Sequence, residues 1–369
     1  MTDAPGADDY AIRATDVPEV GAPDLSWEPP SPTRSMRIGV IGAGGIVSAH
    51  LDAYRSAGWN VTVICNRTLS KAERAAAQFY PDAHTTDRVD DVLGDPSIEV
   101  VDVTPHPTDR LPILEAAIRA GKHVLSQKPF VLDLADGERL VRLADEAGVS
   151  LAVNQNGRWA PHMAWMRAAV RAGHVGDVIA HHTSVHWDHS WVAGTPFERM
   201  TDLILYDFAI HWFDFLSSIV GERAESVFAT AATARGQGVA VPLLAQALVR
   251  LDGGQASLVF DGAVPHGPLD TTMIAGTRGT LESRGPDLNR QTVTLTTAEG
   301  RARAPIEGQW FNDGFRGAMG ELMCAAQEGR EPENGARGNL RSLALAFAAI
   351  ESARTGREVR VGEVSRLAV

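Results

Sequence analysis

The chain has 369 residues, 44% hydrophobic and 22% charged, which is typical of a globular protein with room for two domains. Its formal net charge of −12 argues against nucleic acid or an anionic membrane as the main partner, because both require a basic surface. Two cysteines are too few for a disulfide framework or a structural zinc site. No apolar run reaches the roughly 18 residues of a membrane span, and the N-terminus does not resemble a secretory signal. The expected location is cytoplasmic.

Residues 1–35 are predicted to form an extended N-terminal arm. They contain six prolines and seven acidic residues against two arginines, without sustained periodicity. One interpretation is a disordered tail. The alternative is an arm that packs on a neighbouring subunit, with Trp27 and the nearby prolines as the contact region.

Residues 36–157 show apolar strands that alternate with helices, a pattern typical of a doubly wound parallel sheet. The strands are predicted at "RIGVIG", "VTVIC", "IEVVDVT", "KHVLS" and "VSLAVNQN", and helical patterns lie between them. This order predicts a Rossmann domain that binds NAD or NADP.

The segment "VIGAGGIV" places a glycine cluster at the turn from the first strand into the first helix. Gly42 permits a tight turn, and Gly44 allows the backbone to approach a pyrophosphate. Gly42, Gly44, Gly45 and Ile46 are therefore predicted to contact the cofactor. The full glycine fingerprint would have Gly or Ala at position 47, where this chain has Val47.

The second strand ends in "ICNRT", where an NAD-binding chain usually has an Asp or Glu for the ribose diol. Asn66 does not repel a 2′-phosphate, and the guanidinium of Arg67 could pair with one. Alternatively, Arg67 is solvated or stacks on adenine. The charge argument favours NADP over NAD.

Lys128 follows the strand "KHVLS" at the carboxyl edge of the predicted sheet, where such sheets bind their ligands. It could donate to a substrate hydroxyl or share a proton with it. The alternative, a solvated surface lysine, fits poorly with a position at a strand end before Pro129.

Residues 158–369 are predicted to form an α/β domain with a large, open, mostly antiparallel sheet, because strand patterns now follow one another directly. They are found at "DVIAHHTSVHW", "AESVFATAATA", "AQALVRLDG", "QASLVFDGA", "DTTMIAGTRGTLES" and "QTVTLTTAE". Two helical stretches close the chain. Arg158 could reach the substrate pocket, or equally form an ion pair at the domain junction.

The apolar segment "LILYDFAIHWFDF" contains Asp207, His211 and Asp214. Asp207 and His211 are four residues apart, so a helix would place them on one face, and the carboxylate could orient the imidazole as a base. A buried histidine paired with a carboxylate for structural reasons explains the pattern equally well. No catalytic role is assigned to Asp214.

Four histidines in "HHTSVHWDHSW", at positions 181, 182, 186 and 189, raise the question of a metal site. On a strand, His182 and His186 face one side and His181 the other, which does not converge on an ion, so no metal is predicted. We expect His189 to lie near the pocket mouth among aromatic residues that suit a sugar ring, although sheet packing explains most of these residues.

From about Met36 onward, the chain resembles the glucose–fructose oxidoreductase / inositol dehydrogenase / rhizopine-catabolism (Gfo/Idh/MocA) family. The resemblance is carried by "GAGGIV", "DVTPHP", "QKP", "YDFAIHWFD", the "IAGTRGTL" hairpin and "QWFNDGF", taken in order. It implies a two-domain oxidoreductase whose second domain contributes to the substrate site and often to an oligomer interface, and hence a homo-oligomer, either a dimer or a tetramer.

The resemblance also implies that Lys128 and His211 act on the substrate hydroxyl, that Asp207 helps to position it, and that Thr104 and Pro105 lie beside the cofactor. At Gln127, assigned here to the cofactor site, the family usually has Glu.

Two further positions depart from the family pattern. His106 and Asp109 stand where the family often has Asn and His.

The predicted activity is hydride transfer between nicotinamide and a secondary alcohol or ketone of a sugar, cyclitol or related polyol. Two alternatives stay open. One is a glycosidase or lyase that oxidises a ring hydroxyl transiently with a tightly bound cofactor. The other is an NADP-sensing binding protein without catalysis.

Overall fold

The structure is a computed structural model that describes residues 16–200 and 202–367. Two sheets dominate the architecture, one of six strands and one of nine. Among the described residues, no helix is both long and apolar enough to cross a membrane.

The first sheet is parallel throughout and has the strand order β3-β2-β1-β4-β5-β6, which is the Rossmann order. Its strands are β1 (Arg37–Ile41), β2 (Asn60–Cys65), β3 (His84–Thr86), β4 (Val100–Val103), β5 (His123–Ser126) and β6 (Leu151–Val153). The helices between them are α1 (Val47–Ser56), α2 (Leu69–Phe79), α3 (Val89–Leu93), α4 (Pro107–Arg119) and α5 (Leu134–Ala147). The strand order reverses between β1 and β4, which is where such sheets bind nucleotides.

The second sheet has the order β14-β13-β12-β11-β7-β10-β9-β8-β15. Its strands are β7 (Val178–His186), β8 (Ala224–Ala232), β9 (Leu244–Leu251), β10 (Gly254–Asp261), β11 (Leu269–Gly276), β12 (Gly279–Gly285), β13 (Thr292–Thr297), β14 (Gly300–Arg303) and β15 (Val359–Arg360). The β7–β10 pair is parallel and the other pairs are antiparallel. The predicted fold class is therefore confirmed for both parts of the chain.

Helices cover one face of the second sheet and bring the two parts of the chain together. They are α6 (Pro161–Arg171), α7 (Ile210–Val220), α8 (Trp310–Glu328) and α9 (Ala336–Thr355). Helix α9 packs on α7 and β8, whereas α8 packs on α1 of the first domain. The loop between α8 and α9 also bonds to β6, since the Val153 amide donates to the Asn334 carbonyl at 2.9 Å. The last two helices therefore join both domains.

The described part of the N-terminal arm, from Asp16 onward, is extended and lies on its own chain. The Val20 amide donates to the Arg301 carbonyl at 2.9 Å, next to β14. Trp27 packs against the main hydrophobic core. Trp27 thus contacts apolar surface of its own chain, and a further contact with a neighbouring subunit stays a prediction. Residues 1–15 lie outside the described residues.

Candidate active site

The glycine turn lies at the end of β1, against the residues that follow β4. Gly42 has φ +105°, and a Cβ at this position would be 2.2 Å from Thr104 Oγ1, so only glycine fits. By contrast, a Cβ on Gly44 or Gly45 would meet nothing within 4 Å. Pro105 also borders Gly42, and Ile46 leads into α1 as its N-cap residue. The turn therefore combines a tight backbone with open space before a helix N-terminus, which suits a pyrophosphate.

Asn66 braces this turn from the end of β2. Its Oδ1 accepts a hydrogen bond from the Ala43 amide at 2.9 Å, and its Nδ2 donates to the Thr68 carbonyl at 3.0 Å. Arg67 is exposed beside it. A cleft next to the turn is lined by Gly44 and Gly45 and by two cationic residues of α2, which are Lys71 and Arg74. Neither cation was predicted from the sequence to contact the cofactor, although they follow Arg67 by four and seven residues.

Lys128 and Asp207 meet across the two domains. Lys128 Nζ lies 3.2 Å from Asp207 Oδ1 and donates to the Asp207 carbonyl oxygen at 2.9 Å. Both side chains keep some contact with solvent, at 17% and 22% exposure. Lys128 follows β5, and its peptide bond to Pro129 is cis. The strand-end lysine is thus held by the second domain rather than lying free on the surface.

The expected pairing of Asp207 with His211 is not what the structure shows. Residues Ile204–Phe208 form a π-helical turn, closed by a bond from the Ala209 amide to the Ile204 carbonyl at 2.7 Å. Such a turn contains more residues than an α-helical turn, so the two side chains lose the shared face that a regular helix would give them. The Asp207 carboxylate is directed to Lys128 instead.

His211 begins α7 and packs edge-on against Trp310, with ring centroids 5.6 Å apart. Its Nδ1 is buried and has no hydrogen-bond partner within the described ranges. Burial lowers the pKa of His211 well below its usual value, and the nearby charge of Lys128 lowers it further. The imidazole is therefore neutral at physiological pH, and one of its ring nitrogens carries a lone pair. Among residues 16–200 and 202–367, no carboxylate bonds to the His211 ring in a way that would explain it as a structural ion pair.

His189 lies in an aromatic cluster next to Asp207. Its ring is 5.0 Å from Phe208 and 5.0 Å from Trp191, and Phe208 in turn is 4.7 Å from Trp187. His189 is only 4% exposed, and burial lowers its pKa to about 4. It is thus a neutral part of an aromatic wall beside the Lys128–Asp207 pair.

Arg110 on α4 binds the backbone at two strand ends, and this role was not predicted from the sequence. The side chain is 1% exposed. Its Nε donates to the Pro105 carbonyl at 2.8 Å, and its Nη1 donates to the carbonyls of Gln127 and, at 2.6 Å, Pro129. One guanidinium therefore holds the segment beside the glycine turn and the segment that carries Lys128. The only sequence signal was an arginine on the apolar side of an otherwise ordinary helix.

Arg158 does not contribute to the substrate pocket as one interpretation proposed. Its Nε and Nη2 donate to the two carboxylate oxygens of Asp214 at 2.6 and 2.9 Å, and the two side chains are 7% and 1% exposed. Ser342 also donates to Asp214 at 2.8 Å. The guanidinium therefore forms a buried ion pair within the second domain, as the alternative interpretation expected of an ion pair, and its polar atoms are occupied by Asp214 and the Glu333 carbonyl. This pair also gives Asp214 its role.

The other histidines of β7 bond to neighbouring strand residues. His182 bonds to Ser257 at 2.6 Å, and His186 bonds to Asp261 at 2.8 Å. His181 is buried on the opposite face. In the part of the chain that the structure describes, no group of three or more His, Cys, Asp or Glu side chains is arranged to hold a metal ion.

Gln127, His106 and Asp109 are the three positions that depart from the family pattern. Gln127 is 5% exposed, and its amide faces inward to His50. His106 is the N-cap residue of α4 and hydrogen-bonds to Thr108. Asp109 lies in the exposed first turn of that helix.

Two family models match the chain. One describes an oxidoreductase family with an NAD-binding Rossmann fold and matches residues 36–155, and the other describes the GFO/IDH/MocA C-terminal domain and matches residues 163–282. Together they cover well over half of the sequence.

Several curated relatives align over most of the chain. D-apiose dehydrogenase of Paraburkholderia graminis is 27% identical over 87% of this chain and 88% of its own length. 1,5-Anhydro-D-fructose reductase of Ensifer adhaerens is 29% identical over 88% of this chain and 98% of its own. Inositol 2-dehydrogenase of Rhizobium meliloti is 24% identical over 89% and 99%.

Solved structures share the fold. An oxidoreductase from Agrobacterium radiobacter, in complex with NAD+, L-tartaric acid and magnesium, superposes with a TM-score of 0.80 at 21% identity. It covers 89% of this chain and 99% of its own. Levoglucosan dehydrogenase with NADH and levoglucosan gives 0.77 at 21% identity, with 89% and 100% covered.

Proposed function

Because the chain belongs to the Gfo/Idh/MocA oxidoreductase family, we propose that it transfers a hydride between NAD(P) and a secondary alcohol or ketone of a sugar, cyclitol or related polyol. The observation that carries the proposal is the contact of Lys128 with Asp207. It unites the carboxyl edge of the nucleotide-binding sheet with the second domain at the place where ligands of such sheets bind. The curated relatives named above are dehydrogenases and reductases, which favours neither a lyase nor a sensor.

Three side chains carry the chemistry in this proposal. The nicotinamide supplies the hydride acceptor or donor when it is bound. In the oxidative direction, neutral His211 takes the hydroxyl proton, and the Lys128 ammonium donates to the oxygen and stabilises the developing alkoxide. Asp207 holds the ammonium in place by its 3.2 Å contact. His189 and the aromatic cluster around it would bound the polyol, with flat apolar faces against its C–H groups.

The first experiment is a screen of purified protein against sugars and cyclitols with NAD and NADP, followed at the nicotinamide absorbance. We expect Lys128→Ala and His211→Ala each to abolish turnover on the active substrate while NADP still binds. His84→Asn changes an exposed histidine on β3 and serves as the control. Full activity of both site variants on that substrate would contradict the assignment.

We further propose that NADP is the preferred cofactor. No carboxylate stands at the end of β2, where Asn66 is tied to Ala43 and Thr68. Arg67 is exposed at this edge, and Lys71 lines the cleft beside the glycine turn, so two cations are available to a 2′-phosphate.

The double variant Arg67→Ala/Lys71→Ala tests this preference. We expect KM for NADP to rise at least about tenfold while KM for NAD changes little, because only NADP has the phosphate. Equal losses with both cofactors, or a wild type that prefers NAD, would contradict the preference.

We also propose a homo-oligomer, a dimer or tetramer, that acts in the cytoplasm. The uncovered face of the second sheet exposes large apolar side chains on four of its strands, namely Ile179, Phe228, Leu248 and Met273. Such a patch favours burial against another subunit. Light scattering after gel filtration should report a dimer or tetramer, and Leu248→Glu should shift it to smaller species. A monomer at micromolar concentration would contradict this part.

A further inference from the structure

A buried polar chain lies beneath the strand end that carries Lys128, and the mechanism above does not use it. His50 on α1 and Asp102 on β4 are both 0% exposed. His50 Nδ1 lies 2.7 Å from Asp102 Oδ2, and His50 Nε2 lies 3.1 Å from Gln127 Nε2. Gln127 Oε1 accepts a hydrogen bond from the Lys128 amide at 2.7 Å. The chain therefore runs from a carboxylate through an imidazole and an amide to the backbone of Lys128.

The donors and acceptors permit one assignment of protons along this chain. The Lys128 amide only donates, so the Gln127 atom that faces it is the oxygen. The Gln127 nitrogen then faces His50 and donates, so Nε2 of the imidazole has to accept. The ring proton is left on Nδ1, where it points at Asp102. The Tyr54 hydroxyl donates to the same carboxylate oxygen at 2.8 Å.

Each link constrains the next one. The carboxylate of Asp102 selects the Nδ1–H form of the neutral imidazole, as such partners do for histidines in metal sites and catalytic triads. The unprotonated Nε2 selects one orientation of the Gln127 amide, to which Asn154 Nδ2 also donates, at 3.3 Å from Oε1. That orientation is the one that gives the Lys128 amide its acceptor.

We propose that Asp102 and His50 are positioning residues for Lys128, acting through Gln127. The proposal rests on the function proposed above, since it assumes that Lys128 contacts the reacting hydroxyl. The Gln127 side chain carries no charge, and the buried carboxylate of Asp102 lies on the other side of the His50 ring. The imidazole therefore lies between positions 102 and 127.

The decisive variants remove the carboxylate or move it. Asp102→Leu leaves the Nδ1–H without its acceptor and frees the ring to protonate on Nε2, which opposes the Gln127 amide donor. In Asp102→Asn/Gln127→Glu, the carboxylate is at 127, the ring proton moves to Nε2, and the Lys128 amide keeps an oxygen to bond. Tyr54→Phe removes the other hydrogen bond to Asp102 and the longer contact of the same hydroxyl with His50 Nδ1, at 3.3 Å. It keeps the Asp102 carboxylate and the Gln127 amide on the two ring nitrogens, so it is the matched control.

Nitrogen-15 NMR of histidine-labelled protein reads the tautomer without any need for turnover, with His50→Asn to assign the signal. We expect Nδ1–H in the wild type and in Tyr54→Phe, and Nε2–H in Asp102→Asn/Gln127→Glu. We also expect the Lys128 amide proton signal to shift in Asp102→Leu and to remain near its wild-type position in the double variant. A wild-type ring that is protonated on Nε2, or on both nitrogens, would overturn the proposal.

Kinetics give the second test. Asp102→Leu should lower kcat about tenfold or more, the usual cost of losing such a supporting hydrogen bond, with little change in the Kd of NADP. The double variant should regain most of that loss, which a merely structural carboxylate does not predict. Wild-type kcat in Asp102→Leu, or no recovery of kcat in the double variant, would overturn the proposal.

If Asp102→Leu does not fold, the His50 tautomers measured in the wild type and in the double variant still test the proposal. If the wild-type protein turns over no polyol, the proposed function is contradicted. The NMR experiments need no turnover, so they still test whether Asp102 and His50 position the Lys128 amide.

Discussion

Asp270 on β11 is a buried carboxylate whose removal should stabilise the protein in a pH-dependent way. It is 2% exposed, and neither of its oxygens has a hydrogen-bond partner within residues 16–200 and 202–367. Burial, aided by the charge of Asp287, raises its pKa from 3.8 to about 7. The folded protein therefore binds a proton that the unfolded chain releases at lower pH.

The sign of the effect follows from this difference. Below pH 3.8 both states are protonated, so Asp270 imposes no electrostatic penalty. As the pH rises from there to about 7, the unfolded chain alone ionises, and the free energy of unfolding falls by about 1.4 kcal/mol per pH unit. Above pH 7 the loss of free energy of unfolding levels off at about 4 kcal/mol at most, because the folded and unfolded pKa values of Asp270 differ by about three.

Asp270→Asn has a similar shape without the charge, so it should remove this loss. The gain in free energy of unfolding, relative to the wild type, should be about 2.5 kcal/mol larger at pH 8 than at pH 5. Urea unfolding followed by tryptophan fluorescence at pH 5, 6, 7 and 8 measures it. Asp252→Asn changes an exposed aspartate in the β9–β10 turn, where water solvates the carboxylate in both states, and should give no such trend. A gain for Asp270→Asn that is independent of pH would refute the reasoning.

Three further predictions concern the frame of the site. Arg158→Met should lower the free energy of unfolding by about 3 to 5 kcal/mol, since it leaves Asp214 buried without its cation, whereas the double change to Met at both positions should recover most of the loss in a thermal melt. Gly44→Ala should keep the wild-type Tm and lower the affinity for NADP, measured by titration, at least about tenfold. Gly42→Ala should lower both the Tm and the affinity for NADP, because of these two positions only 42 lacks space for a Cβ. Arg110→Lys should reduce kcat, because an ammonium does not reproduce the guanidinium bonds to three carbonyls. Circular dichroism should show unchanged secondary structure. A wild-type kcat in this variant would show that these bonds do not position Lys128.

The fold class could be predicted because the signals that determine it are local. Strands alternate with helices up to residue 157 and follow one another afterwards, and each pattern is legible within about ten residues. The strand β3 was missed because "HTT" is three residues long and has no apolar run. The parallel pairing of β7 with β10 was missed as well, since strand partners distant in sequence leave no mark on either strand.

The site was predictable only in part, for a related reason. Lys128, Asp207 and His211 could each be named from their neighbours in sequence. Their pairing depended on a π-helical turn and on how the two domains meet, which no local pattern reports. Arg110 acts through carbonyl groups, which every residue has, so its role left no signal in the sequence. For Arg158, the sequence offered an ion pair and a place in the substrate pocket as alternatives. It could not decide between them, because the partner Asp214 is distant in sequence.

The apolar segment from Leu203 to Phe215 carries two ion pairs of opposite character, and this difference accounts for their roles. Asp214 and Arg158 are sealed from water, so separating them would leave a buried charge and cost about 3 to 5 kcal/mol. Asp207 and Lys128 keep 22% and 17% of their side-chain surface exposed, so water still reaches both charged groups. The Lys128–Asp207 pair is therefore the easier of the two to separate, which the proposed function requires if a substrate hydroxyl is to contact Lys128.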